Sequence, residues 1–462
     1  MAGKRSLTTT NLENLGAATL AELLIEVSCG NAVIQRRLRL ALAAAEGTEG
    51  AGQEVRKRLA AIARSTTFVD SRKRKALVLD LESQQRAITR TIAAADQNLA
   101  FELLLRFLEL ADGVMERCSD STGTVVGVFE RAGAELGALA DATGVKPEAL
   151  AEQVAELLAA NSYGQFDQLI PTMKDSLGET GLRLLQNNQR INSGNHRHSQ
   201  RQIAEALGDV EAYLGQFDDH QFSWPDTAAE VARQLLATGR PEQALTMLAK
   251  AAQAATSQQA PAWDEAHIAV LDALGRGEEA QQQRWNCFSS KLSIPHLRAY
   301  LQRLEAFEDV EAEERALMLA QEDPRPLLVL EFLVSWPALS RAARYVIENR
   351  RTWNGEAVEI YGPAAERLSA EHPIAASLLL RAMVVFTLAT GRVKRYRHAA
   401  EQLSTCERLA TRIDDWKDME THASFMDRLQ ETRETKWTFW RWMQRQSAEH
   451  HEHKAQVNIK KR

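Results

Sequence analysis

Apolar residues recur along this chain at i, i+3, i+4 and i+7, and no other feature limits its fold so strongly. Leu20, Leu23, Leu24 and Val27 follow that spacing, Phe101, Leu104, Leu105 and Leu108 repeat it, and Leu150, Val154, Leu157 and Leu158 form a third stripe. Each set lies on one face of a 3.6-residue helix. No run of alternating β-branched residues stands between turn signals, and Val125 to Phe129, the one strand candidate, sits inside a helical pattern. Breakers are few, with 24 Gly and 11 Pro in 462 residues, and 45% apolar content excludes a chain disordered throughout. The fold class is all-α.

The first half reads as successive helices. Thr19 and Glu22 form a capping box ahead of the first stripe. The three glycines between Glu46 and Gln53 predict a flexible loop. Helices are expected through Val55, Leu59 and Ile62, from Arg72 to Ala93, from Asp96 to Glu116 and from Val125 to Asp141. Pro147 stands where a helix takes its first residue. The segment Gln186 to Gln202 is rich in Asn and His and predicts a frayed helix end or linker, with a domain boundary near residue 200.

The second half is internally similar. Leu236-Ala-Thr-Gly239-Arg240-Pro-Glu-Gln-Ala244 resembles Ala273-Leu-Gly275-Arg276-Gly-Glu-Glu-Ala280, with the Gly-Arg pairs 36 residues apart. A third copy, Leu388-Ala-Thr-Gly391-Arg392, follows after 116 residues, and degenerate units at Phe307 to Ala312 and Trp336 to Ala343 fill the gap. A two-helix unit of this period is tetratricopeptide-like, and such pairs stack because one pair cannot bury its apolar face. The organisation expected is therefore a helical domain over 1–200 and a distorted helical-repeat (tetratricopeptide-like) solenoid over 201–445. A docking helix would close the solenoid, and a polar, basic, disordered tail would occupy 446–462.

Four dispersed cysteines (Cys29, Cys118, Cys287 and Cys406) share no CxxC spacing and suit a reducing cytoplasm. The basic N-terminus has no apolar h-region and is expected to lack a signal peptide. The most apolar run, Ile374 to Thr390, carries Arg381 at its centre and falls short of the ~20 residues of a membrane span. It reads as a buried core helix.

Chemical motifs are sparse. GxSxG, HExxH, GxxxxGK[ST] and GxGxxG are absent, which argues against a P-loop ATPase or a Rossmann cofactor enzyme. No cofactor and no metal site are expected. His196 with His198, and His450, His451 and His453, read as a polar linker and a polar tail. The turns holding Asp120 and Ser121, and Asn161, Tyr163 and Asp167, are the candidate ligand or partner sites, weighed against plain helix capping.

Formal net charge is −6, yet residues 1–75 carry 13 Lys+Arg against 7 Asp+Glu. Arg72, Lys73, Arg74 and Lys75, near Arg56, Lys57, Arg58 and Arg64, form a candidate phosphate-backbone footprint. The alternative is a solvated helix face. Near the C-terminus, Trp437, Phe439, Trp440 and Trp442 stand among cations. Their i, i+3 spacing favours helix docking over base stacking or contact with a membrane surface.

Two stretches carry a family resemblance. Ile62-Ala-Arg-Ser-Thr-Thr-Phe68-Val69-Asp70 is one. The other is Glu116-Arg-Cys-Ser-Asp120-Ser121-Thr-Gly123 taken with Asn161-Ser-Tyr163-Gly164-Gln-Phe-Asp167. Together they resemble an uncharacterised, all-helical bacterial family of unknown function. The chain is also similar to the helical region of some SWIM-type zinc finger proteins. The CxC and CxH of the SWIM module are missing here, so the resemblance implies no zinc and no established activity.

The leading functional reading is a cytoplasmic scaffold or adaptor that binds an unidentified protein partner in a solenoid groove, with no catalytic activity evident. A second is nucleic-acid binding through the basic N-terminal helices. A third is an enzyme with an unrecognised site near Asp120, Tyr163 and Asp167. No membrane partner is expected, and the oligomeric state is left open.

Overall fold

The computed structural model describes residues 7–192, 196–254, 260–431 and 436–444. The proposed tail at 446–462 and His450, His451 and His453 lie outside the described residues. Helices account for all the regular structure described, apart from one isolated bridge between Val69 and Cys118. The described residues are all-α with repeated helix pairs, and the chain divides into two compact units, Met1–Gln259 and Ala260–Arg462. The composition shift near residue 200 falls inside the first unit.

The first unit begins with α1 (Thr9–Glu13), α2 (Ala17–Ser28), α3 (Ala32–Glu46), α4 (Thr48–Ala63) and α5 (Ser71–Arg86). The chain then passes through a π-helical turn (Ala87–Ile92) into α6 (Gln97–Leu108), α7 (Ala111–Glu116), α8 (Val126–Thr143), α9 (Pro147–Ala159) and α10 (Leu169–Gln186). It ends with α11 (Arg197–Leu207), α12 (Val210–Leu214), α13 (Pro225–Ala237) and α14 (Pro241–Ala254). Its core takes the predicted stripes of α4, α6 and α9, including Val55, Phe101, Leu104, Leu108, Val154 and Leu158.

Four sequence expectations are corrected here. The Glu46–Gln53 loop is helix from Thr48 onward. A Cβ at Gly50 would lie 3.1 Å from the Ala43 carbonyl oxygen, and one at Gly52 would lie 3.0 Å from Leu99. Those glycines serve close helix approach, not flexibility. The Thr19–Glu22 capping box is not formed, because α2 starts two residues earlier behind Gly16. The single helix expected over Asp96–Glu116 is two, broken after Leu108, although Asp96 does cap the first through the Leu99 N–H at 3.0 Å. Within Gln186–Gln202, α11 is ordered from Arg197, and Gln200 donates to the Ile191 carbonyl from a buried position at 3.1 Å.

The second unit comprises α15 (Pro261–Ala273), α16 (Gly277–Lys291), α17 (Ile294–Leu301), α18 (Glu308–Glu322) and α19 (Pro326–Ser335). It continues with α20 (Leu339–Glu348), α21 (Val358–Leu368), α22 (Pro373–Ala389), α23 (Tyr396–Ala410) and α24 (His422–Gln430), followed by a helical turn over 437–444. The apolar run at Ile374–Thr390 is α22, packed between α21 and α23 with ten buried residues. Among the described residues no helix is long and apolar enough to cross a membrane.

The Gly-Arg repeats mark one backbone device. At Gly239, Gly275 and Gly391 φ is +74°, +70° and +64°. In each case the N–H of the following arginine reaches the carbonyl five residues back, at Leu235 (2.8 Å), Leu271 (3.0 Å) and Thr387 (3.3 Å). This left-handed turn satisfies the last carbonyls of one helix and starts the next at once. The same bond occurs at Asp209 to Ala204 and at Ala338 to Leu333, where the sequence similarity has faded. The helices so joined pack as pairs, α13 on α14, α15 on α16 and α19 on α20. The proposed unit at Phe307 lacks the bond and leaves Phe307 exposed.

Candidate functional site

In the second unit α23 is flanked by two grooves. One, of about 520 Å³, lies among α21, α22 and α23. Leu380 and Leu409, both buried, form its apolar floor, while Glu366, Thr405, Arg408 and Arg412 stand on its rim. A Cβ built at Gly362 meets nothing within 4 Å, so the glycine widens the groove. Arg412 donates to the carbonyls of Ser369 (2.8 Å) and Ala370, and so closes the C-terminus of α21. Arg408 donates to the Thr405 hydroxyl at 2.9 Å, which leaves most of its guanidinium fork for a ligand.

The other groove, of about 460 Å³, is lined by Leu403, Glu407, His422, Met426, Trp440 and Met443, among others. Trp440 Nε1 and His422 Nδ1 are buried here without hydrogen-bond partners among the described residues. Burial, reinforced by nearby Arg381, holds the His422 pKa below its ordinary range. This wall depends on the C-terminal helical turn. Phe439 is fully buried and meets Tyr396 edge-on at 6.1 Å, while Trp437 faces solvent. Phe439 and Met443, four residues apart, therefore anchor the turn in the core.

Beneath α23 lies Arg381, 5% exposed, at the middle of α22. It donates to the Glu420 carbonyl at 2.7 Å and lies over the rings of Trp416 (4.4 Å) and Phe425 (4.8 Å). Among the described residues no carboxylate pairs with it. A carbonyl and two aromatic faces stabilise the buried charge instead.

The polar turns expected as sites are engaged in their own backbone. Asp120 accepts from the N–H groups of Thr124 (3.0 Å), Val125 (2.8 Å) and Val126 (3.0 Å), which caps α8. Ser121 is exposed beside it. Asn161 donates to Asp167 at 2.8 Å and accepts from the Phe166 N–H at 2.9 Å, while Tyr163 is half exposed. None of the cavities described here is lined by any of these five residues.

The stretches that carried the family resemblance do meet. Val69 donates to the Arg117 carbonyl at 2.8 Å and accepts from the Ser119 N–H at 3.1 Å, while Arg117 reaches Thr67 at 3.2 Å. Arg72, Lys73, Arg74 and Lys75 occupy the first turns of α5, where Asp70 caps the N–H groups of Arg72 and Lys73. Arg74 is held by the Ser119 carbonyl at 2.8 Å, and the other three are exposed. Among the described residues no group of three His, Cys, Asp or Glu is placed to hold a metal.

Sequence reasoning missed the groove residues Glu366, Arg408 and Arg412. Glu366 and Arg408 occupy polar helix positions and Arg412 the turn after α23, and all three read as solvated until Leu380 and Leu409 come in beneath them.

The chain matches the profile of a family of unknown function, DUF6880, over residues 2–198 and 186–442, and it belongs to that family. The likeness to SWIM-type zinc finger proteins is not carried by this match. No curated protein matches the chain. One solved structure, described as a circular tandem repeat protein with novel repeat topology and enhanced subunit contact surfaces, aligns with 90% of this chain and 98% of its own. Identity is 16% and the TM-score is 0.15, so nothing of that protein's geometry carries over.

Proposed function

We propose that this protein is a helical-repeat scaffold that binds a protein partner in the grooves flanking α23. The 520 Å³ groove carries the reading, because it joins an apolar floor to a rim with Arg408 available. A partner segment that lays a leucine-sized side chain over Leu380 and Leu409, with a carboxylate beside Arg408, fits this chemistry. Helix pairs packed within the second unit supply the surface on which such recognition would take place. The three buried thiols and one exposed thiol, all free, suit work in the cytoplasm. No observation favours catalysis.

Gly362→Phe tests the reading, since it fills the groove from a position with open space beside it. Capture from the native host with the wild-type chain should return a stoichiometric protein that survives nuclease and moderate salt. The variant should lose it while keeping the wild-type helical circular dichroism. Equal recovery by the two chains, or no protein with the wild type, would sink the proposal.

A further inference from the structure

The first unit holds a second kind of surface, independent of the scaffold groove. Two hollows of about 200 and 210 Å³ flank α3, and Leu40 lines both. Arg36, Arg39, Lys57 and Arg58 line the first, with Glu54 as its one carboxylate. Arg37, Arg86 and Arg90 line the second, with no carboxylate at all.

Part of this charge is balanced from below. Arg36 and Arg58 both reach the buried Asp80, at 3.3 and 2.9 Å, Lys57 reaches Glu54 at 2.8 Å, and Arg86 approaches Glu82 at 3.7 Å. Arg37, Arg39 and Arg90 have no ion pair or hydrogen bond among the described residues, and Arg39 and Arg90 are exposed. Gln84, 3% exposed, lines the first hollow, and neither its Oε1 nor the buried Nε of Arg36 has a partner. The hollows thus combine surplus positive charge, unpaired guanidinium forks and one buried, unpartnered donor, Arg36 Nε.

Guanidinium forks match phosphate oxygens two at a time. No aromatic residue lines either hollow, so a ligand is held there without stacking. A small phosphate would need enclosure, whereas these hollows are open and lie beside one another on either side of α3. We infer that they bind the phosphodiester backbone of a single nucleic-acid strand without regard to sequence, with Arg39 and the Arg37–Arg90 pair taking separate phosphates. The footprint differs from Arg72–Lys75, which lines neither hollow.

The test is fluorescence anisotropy of the full chain with a labelled 20-nucleotide single strand of mixed sequence, titrated between 50 and 200 mM KCl. Wild-type binding should weaken steeply with salt. Arg39→Glu with Arg90→Glu should weaken it tenfold or more and flatten the log–log salt slope by about 1.4, at roughly 0.7 per lost phosphate. The neutral pair Arg39→Gln with Arg90→Gln should show the same flattening and guards against a folding artefact. Lys394→Glu with Arg395→Glu, an equal charge change at exposed positions of the second unit, should alter affinity less than twofold. The proposal fails if no binding occurs at 50 mM KCl or if the control pair loses as much. It also fails if the chain binds vesicles of phosphatidylserine and phosphatidylcholine but not the strand.

Discussion

The two units bury charge in opposite ways. In the first, Asp80 is a buried carboxylate on α5 with arginines from α3 and α4 converging on it. In the second, Arg381 is a buried cation with no carboxylate partner among the described residues, held by one carbonyl and two aromatic rings. The first arrangement is a cross-helix tie, and removing its anion strands two cations. The second is a local accommodation, and removing its cation leaves only a carbonyl to be rehydrated. The contrast extends to the surroundings. Asp80 shares α5 with buried Ser83, Gln84 and Gln85, whereas the second unit is threaded by rings, with Trp353 between Tyr345 (6.1 Å) and Tyr361 (5.9 Å).

The backbone contact at Gly355 gives the largest effect. Gly355 sits at φ +80°, and a Cβ there would lie 2.0 Å from the Ala382 carbonyl oxygen on α22. Gly355→Ala should cost roughly 3 kcal/mol or more, from the left-handed backbone and the overpacking together. At its counterpart in the first unit, Gly137, a Cβ would lie 2.3 Å from the Thr172 carbonyl oxygen, but the φ is ordinary helical. Gly137→Ala should cost about 2 kcal/mol, because alanine's helix propensity returns up to ~1 kcal/mol. Urea unfolding read separately in each unit orders the two, with Cys118 labelling reporting the first and Cys287 and Cys406 the second. These thiols are buried, and burial pushes Cys287 and Cys406 up to about 12, so labelling requires opening.

The buried charges come next. Asp80→Ala should cost about 2–3 kcal/mol, below the 3–5 typical of breaking a fully buried pair because Arg36 and Arg58 keep some solvent contact. Arg381→Met should cost about 1 kcal/mol or less, since methionine fills the volume and the desolvation of the guanidinium disappears. Equal losses in the two variants would erase the distinction between tie and accommodation.

The smallest effect is acid sensitivity. His267, His296 and His422 all lie in the second unit, and burial holds each below its ordinary 6.5. Their imidazoles are kept neutral in the fold, and the unfolded chain takes up protons first. The stability they contribute is present above pH 6.5 and is lost as pH falls from 6.5 through the depressed folded values. Thiol labelling of Cys287 and Cys406 should therefore accelerate between pH 6.5 and 5 once corrected for thiolate fraction. Asp209 in the first unit is held low by the Ala212 N–H and by Gln186, so its contribution persists until pH falls below the ordinary carboxylate range. Cys118 labelling should show no acceleration over the same window.

Legibility followed distance along the chain. The Gly-Arg turns were readable because the left-handed residue and the i−5 hydrogen bond lie within six residues. The stripes of α6 and α9 were readable because their periodicity is local. The stripe of α2 did mark a helix, yet Leu23, Leu24 and Val27 are 40%, 48% and 62% exposed and only Ser28 is buried. Periodicity reports that a helix is amphipathic and is silent on whether anything covers its apolar face. Gly50 and Gly52 misled for a related reason, because a glycine required by a neighbouring helix looks in sequence like one required by a loop.

The sequence by itself determined the helical class, several helix ends and the repeating turn, all of which depend on torsions and hydrogen bonds between near neighbours. Tertiary structure alone decided that Arg36 and Arg58 share Asp80, that Arg39 and Arg90 are left unpaired, and that Leu380 floors a groove beneath Arg408. Those outcomes join residues tens of positions apart. They were settled by which faces packed together and by the cost of leaving a charge buried without a partner.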